Sequence, residues 1–250
     1  ALHGMHGDAP PLVLGALDHA DCVLVTEWGV RLAEALQTVV IVLTDQNLAQ
    51  SRALIPRPDY VLPGIPPRRV PDDGADYARY VLTDDGVSPM AIPGQPGATY
   101  VADGLEHTET GKPSAAAADH AAQLDKRRHK IEDFDYGDLW ADLRGSGECA
   151  ILTWGSTTTA VREAVERLRE EGTQVRVIAL RLLLPASPER LADALRGVAR
   201  VLVVEQSHGR QFWHYLRSYY DIDAEMHSLA RPGPLVITPG EIVDAIDNWS

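Results

Sequence analysis

What this 250-residue sequence lacks narrows its reading first. Its two cysteines, Cys22 and Cys149, cannot build a disulfide framework. Neither has a CxxC neighbour, so the chain by itself cannot hold an iron–sulfur cluster through cysteine. Both lie in apolar segments ("ADCVLV", "ECAILTW"), which predicts buried free thiols rather than reactive ones and suits the cytoplasm. Long apolar runs are missing too: the strongest, "TVVIVLT" at 38–44, is far short of a membrane span. Residues 1–20 show neither the basic n-region nor the apolar h-region of a signal peptide. The dinucleotide pattern GxGxxG, the phosphate loop GxxxxGK[ST] and the nucleophile elbow GxSxG do not occur, so none of those chemistries gains support. A formal charge of −13 argues against a nucleic-acid or anionic-membrane partner.

What is present reads as three zones in a soluble α/β protein. Residues 1–52 predict strand, helix and strand: "PLVLGAL", then "DHADCVLVTEWGVRLAEAL" with acids at its start, then "TVVIVLTD". The last is a β-branched run without alternation, as expected of a strand buried on both faces of a parallel sheet. Residues 53–145 differ. Pro56, Pro58, Pro63, Pro66, Pro67 and Pro71 forbid regular helix and favour extended chain. "LTDDGVSPMAIPGQPGATY" continues with turn signals. "AAAADHAAQLDKRRHKIEDF" then returns to helix, with Ser114 as the expected N-cap. Such a long connection predicts an ordered crossing pinned to a surface. Residues 146–250 alternate regularly: strands "CAILTW", "TQVRVIALRLLL" and "ARVLVVEQS" with helices "GSTTTAVREAVERLREEG", "SPERLADALRGV", "HGRQFWHYLRSYY" and "TPGEIVDAIDNW". Val161, Ala164, Val165 and Leu168 form one apolar helix face, and Pro188 suits a first helical turn. The alternation predicts a doubly wound α/β domain.

Few residues suggest chemistry directly. His3 and His6 with Asp8 contain zinc-binding residue types, but their glycine neighbours make a loop; pocket lining and plain loop packing are the alternatives. "WGSTTTA" at 154–160 opens a helix whose free N–H groups suit an anion, against capping by Ser156 or Thr157. "GSG" at 145–147 precedes a strand and is a poor phosphate cradle. Glu205, with His208 and Gly209 following, sits at a strand's carboxyl end, where α/β domains place functional groups and where carboxylates also cap helices. His208 and His214 fall on different helix faces and share no metal. Phe212, Leu216 and Tyr219 at helical spacing predict core. "DKRRHK" at 125–130 predicts a solvated helix, with a docking surface as the sharper option. "GLEHTETGKPS" at 104–114 holds acids and a histidine, but no spacing within it forms an acid–base pair.

"YVLTDDGVSPMAIPGQPGATYVADGLEHTETGKPS", followed by His120 and "KRRHK", resembles the alpha subunits of the 2-oxoacid:ferredoxin oxidoreductases, in particular the longer 2-oxoglutarate type. "GMHGDAPPLVLGALDHADC" and "QTVVIVLTDQNLAQSRALIPRPD" resemble the end of that family's pyrimidine-binding domain. "ILTWGSTTTAVREAV" through "VLVVEQSHGRQ" resembles its next domain, similar to the C-terminal domain of transketolases. The resemblance therefore implies 1–52 as the end of a pyrimidine-binding domain, 53–145 as an ordered connection with one helix, and 146–250 as a transketolase C-terminal-like domain.

It also implies oxidative decarboxylation of a 2-oxoacid with thiamine diphosphate and magnesium. Electrons would pass through an iron–sulfur cluster to ferredoxin, and coenzyme A would collect the acyl group. The family's aminopyrimidine-contacting threonine and glutamate have no counterpart here, and the diphosphate site and cluster belong to a partner beta subunit. The expectation is thus a fragment, inactive alone and binding no cofactor by itself. It carries no assigned catalytic residue, and His6, Gly7 and Asp8 are its only pocket candidates. A non-catalytic assembly module, a pyruvate-specific enzyme and a transketolase-like enzyme are the alternatives, the last opposed by the 53–145 crossing.

Overall fold

The computed structural model describes residues 1–57, 62, 64–72 and 76–249. The chain forms two compact units. One comprises Ala1–Val13, Glu27–Ile41 and Val61–Asp135; the other comprises Leu14–Thr26, Val42–Tyr60 and Tyr136–Ser250. Of the six prolines expected to keep residues 56–71 extended, Pro58 and Pro63 lie outside the described residues; at the others there is neither helix nor strand.

The chain opens with β1 (Leu12–Gly15), α1 (His19–Leu36), β2 (Val40–Leu43) and a short α2 (Gln46–Gln50). Asp18 starts α1 by accepting the Asp21 amide at 2.8 Å, the geometry by which short acids satisfy first-turn donors. A buried stripe of Val25, Trp28, Leu32, Ala35 and Leu36 gives the helix its apolar side. Against expectation, β2 is half-buried throughout rather than enclosed on both faces. Its β-branched residues reflect strand propensity more than burial.

The segment from 52 to 116 has no helix or strand among its described residues, apart from a single bridge between His107 and Pro113. Polar bonds order it instead, as expected of buried backbone that has no ladder to join. Its anchor is α3 (Ala117–Glu132). Gly86, at φ +69°, lies so close to α3 that a Cβ would meet the Lys126 carbonyl oxygen at 2.7 Å and the Lys130 Cβ at 2.8 Å. Only glycine fits there. The Lys126 Nζ donates to the Tyr80 carbonyl at 2.9 Å and the Ser88 hydroxyl at 3.0 Å, and the Lys130 Nζ to the Gln37 carbonyl at 3.0 Å. Burial brings both ammonium groups down to about 8. Arg127 forks onto Glu106 at 2.7 and 3.0 Å, and His120 meets the same carboxylate at 2.8 Å. Burial works to raise Glu106, but those bonds outweigh it and hold the carboxyl at about 2.

The expectation of a solvated helix at 125–130 is therefore corrected. Arg128 faces solvent, whereas Lys126, Arg127 and Lys130 reach into the crossing segment. Ser114 is not the N-cap of α3 either. Ala116 occupies that position, and Ser114 bonds Asp119 and the Ala116 amide just ahead of it.

The larger unit continues with a single 3₁₀ turn at Gly137–Trp140, β3 (Ala141–Arg144), β4 (Cys149–Thr153), α4 (Thr157–Glu170), β5 (Val175–Leu180), β6 (Leu182–Leu184), α5 (Pro188–Ala194), β7 (Arg200–Glu205), α6 (Gln211–Tyr219), β8 (Glu225–Ala230) and α7 (Pro239–Asp247). Five strands form a sheet in the order β3-β5-β4-β7-β8, parallel except for antiparallel β3 at the edge. That edge strand at 141–144 precedes the domain boundary expected at 146. The run "TQVRVIALRLLL" is two strands, not one. Arg181 interrupts it, and β6 joins β1 and β2 in a separate sheet ordered β2-β1-β6. The Gly15 amide donates to the Arg181 carbonyl at 2.7 Å.

Alternate residues of β4, β5 and β7 face opposite sides. Cys149, Ile151, Val177, Leu202 and Val204 share a buried core with Val161, Ala164, Val165 and Leu168 of α4 and Ile242 and Ile246 of α7. The intervening Ala150, Leu152, Ile178, Val201 and Val203 are equally buried on the other side. No helix among the described residues is long and apolar enough to cross a membrane.

Candidate functional site

The strand order sets where a ligand site belongs. From β4 the chain crosses through α4 to β5 on one side, returns to β7 on the other, and continues outward through α6 to β8. Right-handed crossovers running in opposite directions put α4 and α6 on opposite faces. The carboxyl ends of adjacent β4 and β7 are thus a topological switch point, the usual crevice of an open α/β sheet. A cleft of about 640 Å³ occupies that position, within the larger unit. It is lined by the loops after β4 and β7, by α2 with the residue before it, and by residues around Gly233–Val236.

Its floor is built by side chains that close off free backbone donors. Asp45 ends the loop after β2 and caps α2, accepting the Leu48 amide at 3.0 Å with one oxygen. Its other oxygen accepts the Ser156 amide at 3.1 Å, at the entrance of α4. Capping by the Ser156 or Thr157 side chain, expected from sequence, does not occur. The Thr157 hydroxyl turns back to the Trp154 carbonyl at 2.8 Å instead. Glu205 is 3% exposed and spends both oxygens on the first turn of α6, accepting the Phe212 amide at 2.8 Å and the Trp213 amide at 2.9 Å. Of its two expected roles, the geometry is that of a capping carboxylate. The Thr153 hydroxyl donates to the Val204 carbonyl at 2.9 Å, tying β4 to β7 beneath the cleft.

Trp154 supplies the aromatic wall. Its indole lies against Gly15, where a Cβ would come within 2.9 Å of the ring Cε3, so the close approach depends on glycine. Gln46, Asn47 and Gln50 project from α2 at the rim and are exposed; Gln206 and Gln211 line the opposite loop. Among the described residues, no lysine, arginine or histidine lines the cleft.

The other sequence candidates fall elsewhere. His6, Gly7 and Asp8 sit in an exposed loop ahead of β1, and neither they nor His3 line the cleft. His208 and Gly209 are exposed beyond β7 and also stand outside it. Among the described residues, no three of His, Cys, Asp and Glu are grouped to hold a metal. Cys149 is buried in β4 and Cys22 half-buried in α1, and burial raises both thiols above their ordinary range. That keeps them protonated and unreactive. Sequence reasoning missed Asp45 and the α2 carboxamides. The signal was an aspartate at a strand's end followed by "QNLAQ", a helix start too short to register by periodicity.

Comparison with known proteins places this architecture. Residues 147–241 match the family model of the pyruvate:ferredoxin oxidoreductase core domain II. The chain is 36% identical over 225 residues to 2-oxoacid:ferredoxin oxidoreductase 2, subunit alpha, of Aeropyrum pernix, covering 87% of this chain and 35% of that protein. To the 2-oxoglutarate oxidoreductase subunit KorA of Mycobacterium tuberculosis it is 31% identical, covering 90% and 35%. The chain thus spans about a third of the length of these curated relatives. A solved structure, the 2-oxoglutarate:ferredoxin oxidoreductase from Magnetococcus marinus with 2-oxoglutarate, coenzyme A and succinyl-CoA bound, superposes with a TM-score of 0.89 at 37% identity. The match covers 99% of this chain and 43% of that one. The chain is thus similar to the alpha subunits of 2-oxoacid:ferredoxin oxidoreductases, and its residues 147–241 are similar to the pyruvate:ferredoxin oxidoreductase core domain II.

Proposed function

We propose that this chain works as part of the alpha subunit of a 2-oxoacid:ferredoxin oxidoreductase of the 2-oxoglutarate type, acting in the cytoplasm. The reaction is oxidative decarboxylation to the acyl-CoA with electrons delivered to ferredoxin. The observation that carries this reading is the match along 99% of the chain to an enzyme solved with 2-oxoglutarate, coenzyme A and succinyl-CoA. When bound, thiamine diphosphate supplies the carbanion chemistry and an iron–sulfur cluster carries the electrons.

Among the described residues there is no ligand set for an iron–sulfur cluster or for the magnesium that accompanies thiamine diphosphate. The two cysteines are protonated and lie in different elements. In this proposal those sites are completed by the rest of the alpha subunit and by a beta subunit. Within that assembly residues 1–52 close the pyrimidine-binding domain, and the loop of His6, Gly7 and Asp8 is the part of the chain nearest in sequence to the cofactor-contacting residues. The chain's own contribution is rigid placement: α3 fixes the crossing segment through Lys126, Arg127 and Lys130, and the capped switch point fixes the loops of the core domain.

The test is to purify the alpha subunit containing these residues with a cysteine-bearing beta subunit and follow ferredoxin reduction. Reduction that requires both 2-oxoglutarate and coenzyme A is expected. Turnover with pyruvate in preference to 2-oxoglutarate would overturn the substrate assignment. Failure of the subunits to form a complex on size exclusion at micromolar concentration would overturn the assembly.

A further inference from the structure

The cleft at the ends of β4 and β7 has a chemistry that the oxidoreductase reading does not use. A switch-point crevice with helix N-termini around it ordinarily attracts a phosphate. Here part of that attraction is spent internally. Asp45 accepts the Leu48 amide in α2 and the Ser156 amide just ahead of α4, and Glu205 accepts the Phe212 and Trp213 amides in α6, so those four donors are already taken. With no cationic side chain among the described residues of the lining, an added anion would meet two carboxylates and no charged partner.

What remains on offer is uncharged and directional. Gln46, Asn47 and Gln50 stand on one short helix at the rim, with carboxamides that make no side-chain hydrogen bond among the described residues. A carboxamide pairs an acceptor with a donor at fixed spacing, the pattern that reads the N6–N7 edge of adenine. The Trp154 indole, wedged on Gly15, provides a flat apolar surface of the kind on which a base stacks. A volume of about 640 Å³ lies within the range of small-molecule sites.

We infer that this cleft binds an uncharged purine nucleoside, with the base stacked on Trp154 and its edge read by Asn47 and Gln50. The inference stands apart from the oxidoreductase reading, because it concerns a ligand without phosphate and a site that reading leaves unused.

Isothermal calorimetry of the full chain with adenosine, AMP, coenzyme A and inorganic phosphate tests it, with Trp154 fluorescence as a second readout. Adenosine should bind saturably, and AMP and coenzyme A more weakly. The double variant Asn47→Ala/Gln50→Ala should weaken adenosine about tenfold or more. Both side chains are exposed and the Asn47 backbone bonds to Ser51 are untouched, so circular dichroism of this variant should match the parent. No saturable heat with adenosine up to millimolar concentration would overturn the proposal. So would tighter binding of AMP, coenzyme A or phosphate, or adenosine binding that the double variant leaves unchanged.

Discussion

The crossing segment around α3 and the five-stranded sheet around α4 solve the same problem by opposite means. The sheet satisfies its backbone through ladders and buries apolar side chains on both faces, with Leu168, Ile151 and Val204 fully buried. The described residues of the crossing segment form no ladder, and side chains from elsewhere take up its carbonyls: Gln123 and Lys126 bond Tyr80, Gln37 bonds Ser88, and His129 bonds Asp84. The contrast teaches where each region is vulnerable. Apolar volume decides the sheet, while a few charged and amide groups decide the crossing.

The largest expected effect lies in the sheet. Leu168 of α4 is fully buried in the core shared with α7. Leu168→Ala should cost about 2–5 kcal/mol in urea unfolding, through lost burial and the cavity left behind. A loss below 1 kcal/mol would mean that the core collapses around the gap and the comparison is overdrawn. In the crossing segment the matching lesion is polar. Arg127→Met removes the charged fork from the Glu106 carboxylate, which is 12% exposed and keeps only His120 and the His107 amide, and should cost about 2 kcal/mol at pH 7.

Glu106 also fixes a pH dependence. Its carboxyl sits at about 2 in the folded chain against an ordinary 4.5. The stability it contributes is therefore fully present above about pH 4.5 and is lost as pH falls toward 2. Arg127→Met should flatten that acid limb, read by amide exchange at residues 105–114. An unchanged limb would show that another group sets it.

A smaller effect is expected at Thr238, which caps α7 in a capping box with Glu241. Thr238→Ala should cost about 1 kcal/mol. It should leave exchange in the crossing segment untouched, because the crossing makes no use of that cap.

This contrast also explains what could be read in the sequence. The face Val161, Ala164, Val165 and Leu168 was visible because helical burial repeats every three or four residues, and all four are buried. β3 and β8 were not visible: "ADLR" is short, and "EMHSLA" is no more than half-buried along its length, so neither carries an apolar run. "KRRHK" looked like an ordinary solvated run because nothing in a linear pattern shows carbonyls arriving from residues 37 and 80. "DGVSP" and "KRRHK" turn out to be the two sides of one contact, met at Gly86. At the switch point, Glu205 could be singled out by its place at a strand's end. Asp45 could not, because its second partner, Ser156, is 111 residues away.

The pH effect expected at two lysines is the most diagnostic of the crossing segment. Three lysines stand against twenty arginines in the whole chain, and two of those three are Lys126 and Lys130. Neither makes an ion pair with a carboxylate among the described residues. Arg79 and Arg127 add to the repulsion between them, while Glu106 and Glu109 act only at a distance on Lys126. Burial brings both amines to about 8, from 10.5 in an exposed lysine. Below pH 8 folded and unfolded chains are both protonated, and the cost of burying two ammonium groups is borne in full. Between pH 8 and 10.5 the unfolded chain holds more protons than the folded one, so the cost is relieved and stability rises with pH.

Buried Tyr136, Tyr215 and Tyr220, whose phenols burial raises, act the other way above about pH 10, where the unfolded chain ionises first. The informative window is therefore pH 8 to 9.5. Protection of residues 80–88 from amide exchange, taken relative to the base-catalysed intrinsic rate, should rise across it in the parent chain. In Lys126→Met/Lys130→Met, which keeps the aliphatic stems, the dependence should vanish. A parent chain whose protection at residues 80–88 changes across that window no differently from that of the double variant would show these lysines to be ordinary surface amines, and the crossing would then have to be held by Gly86 packing and the Arg127 fork alone.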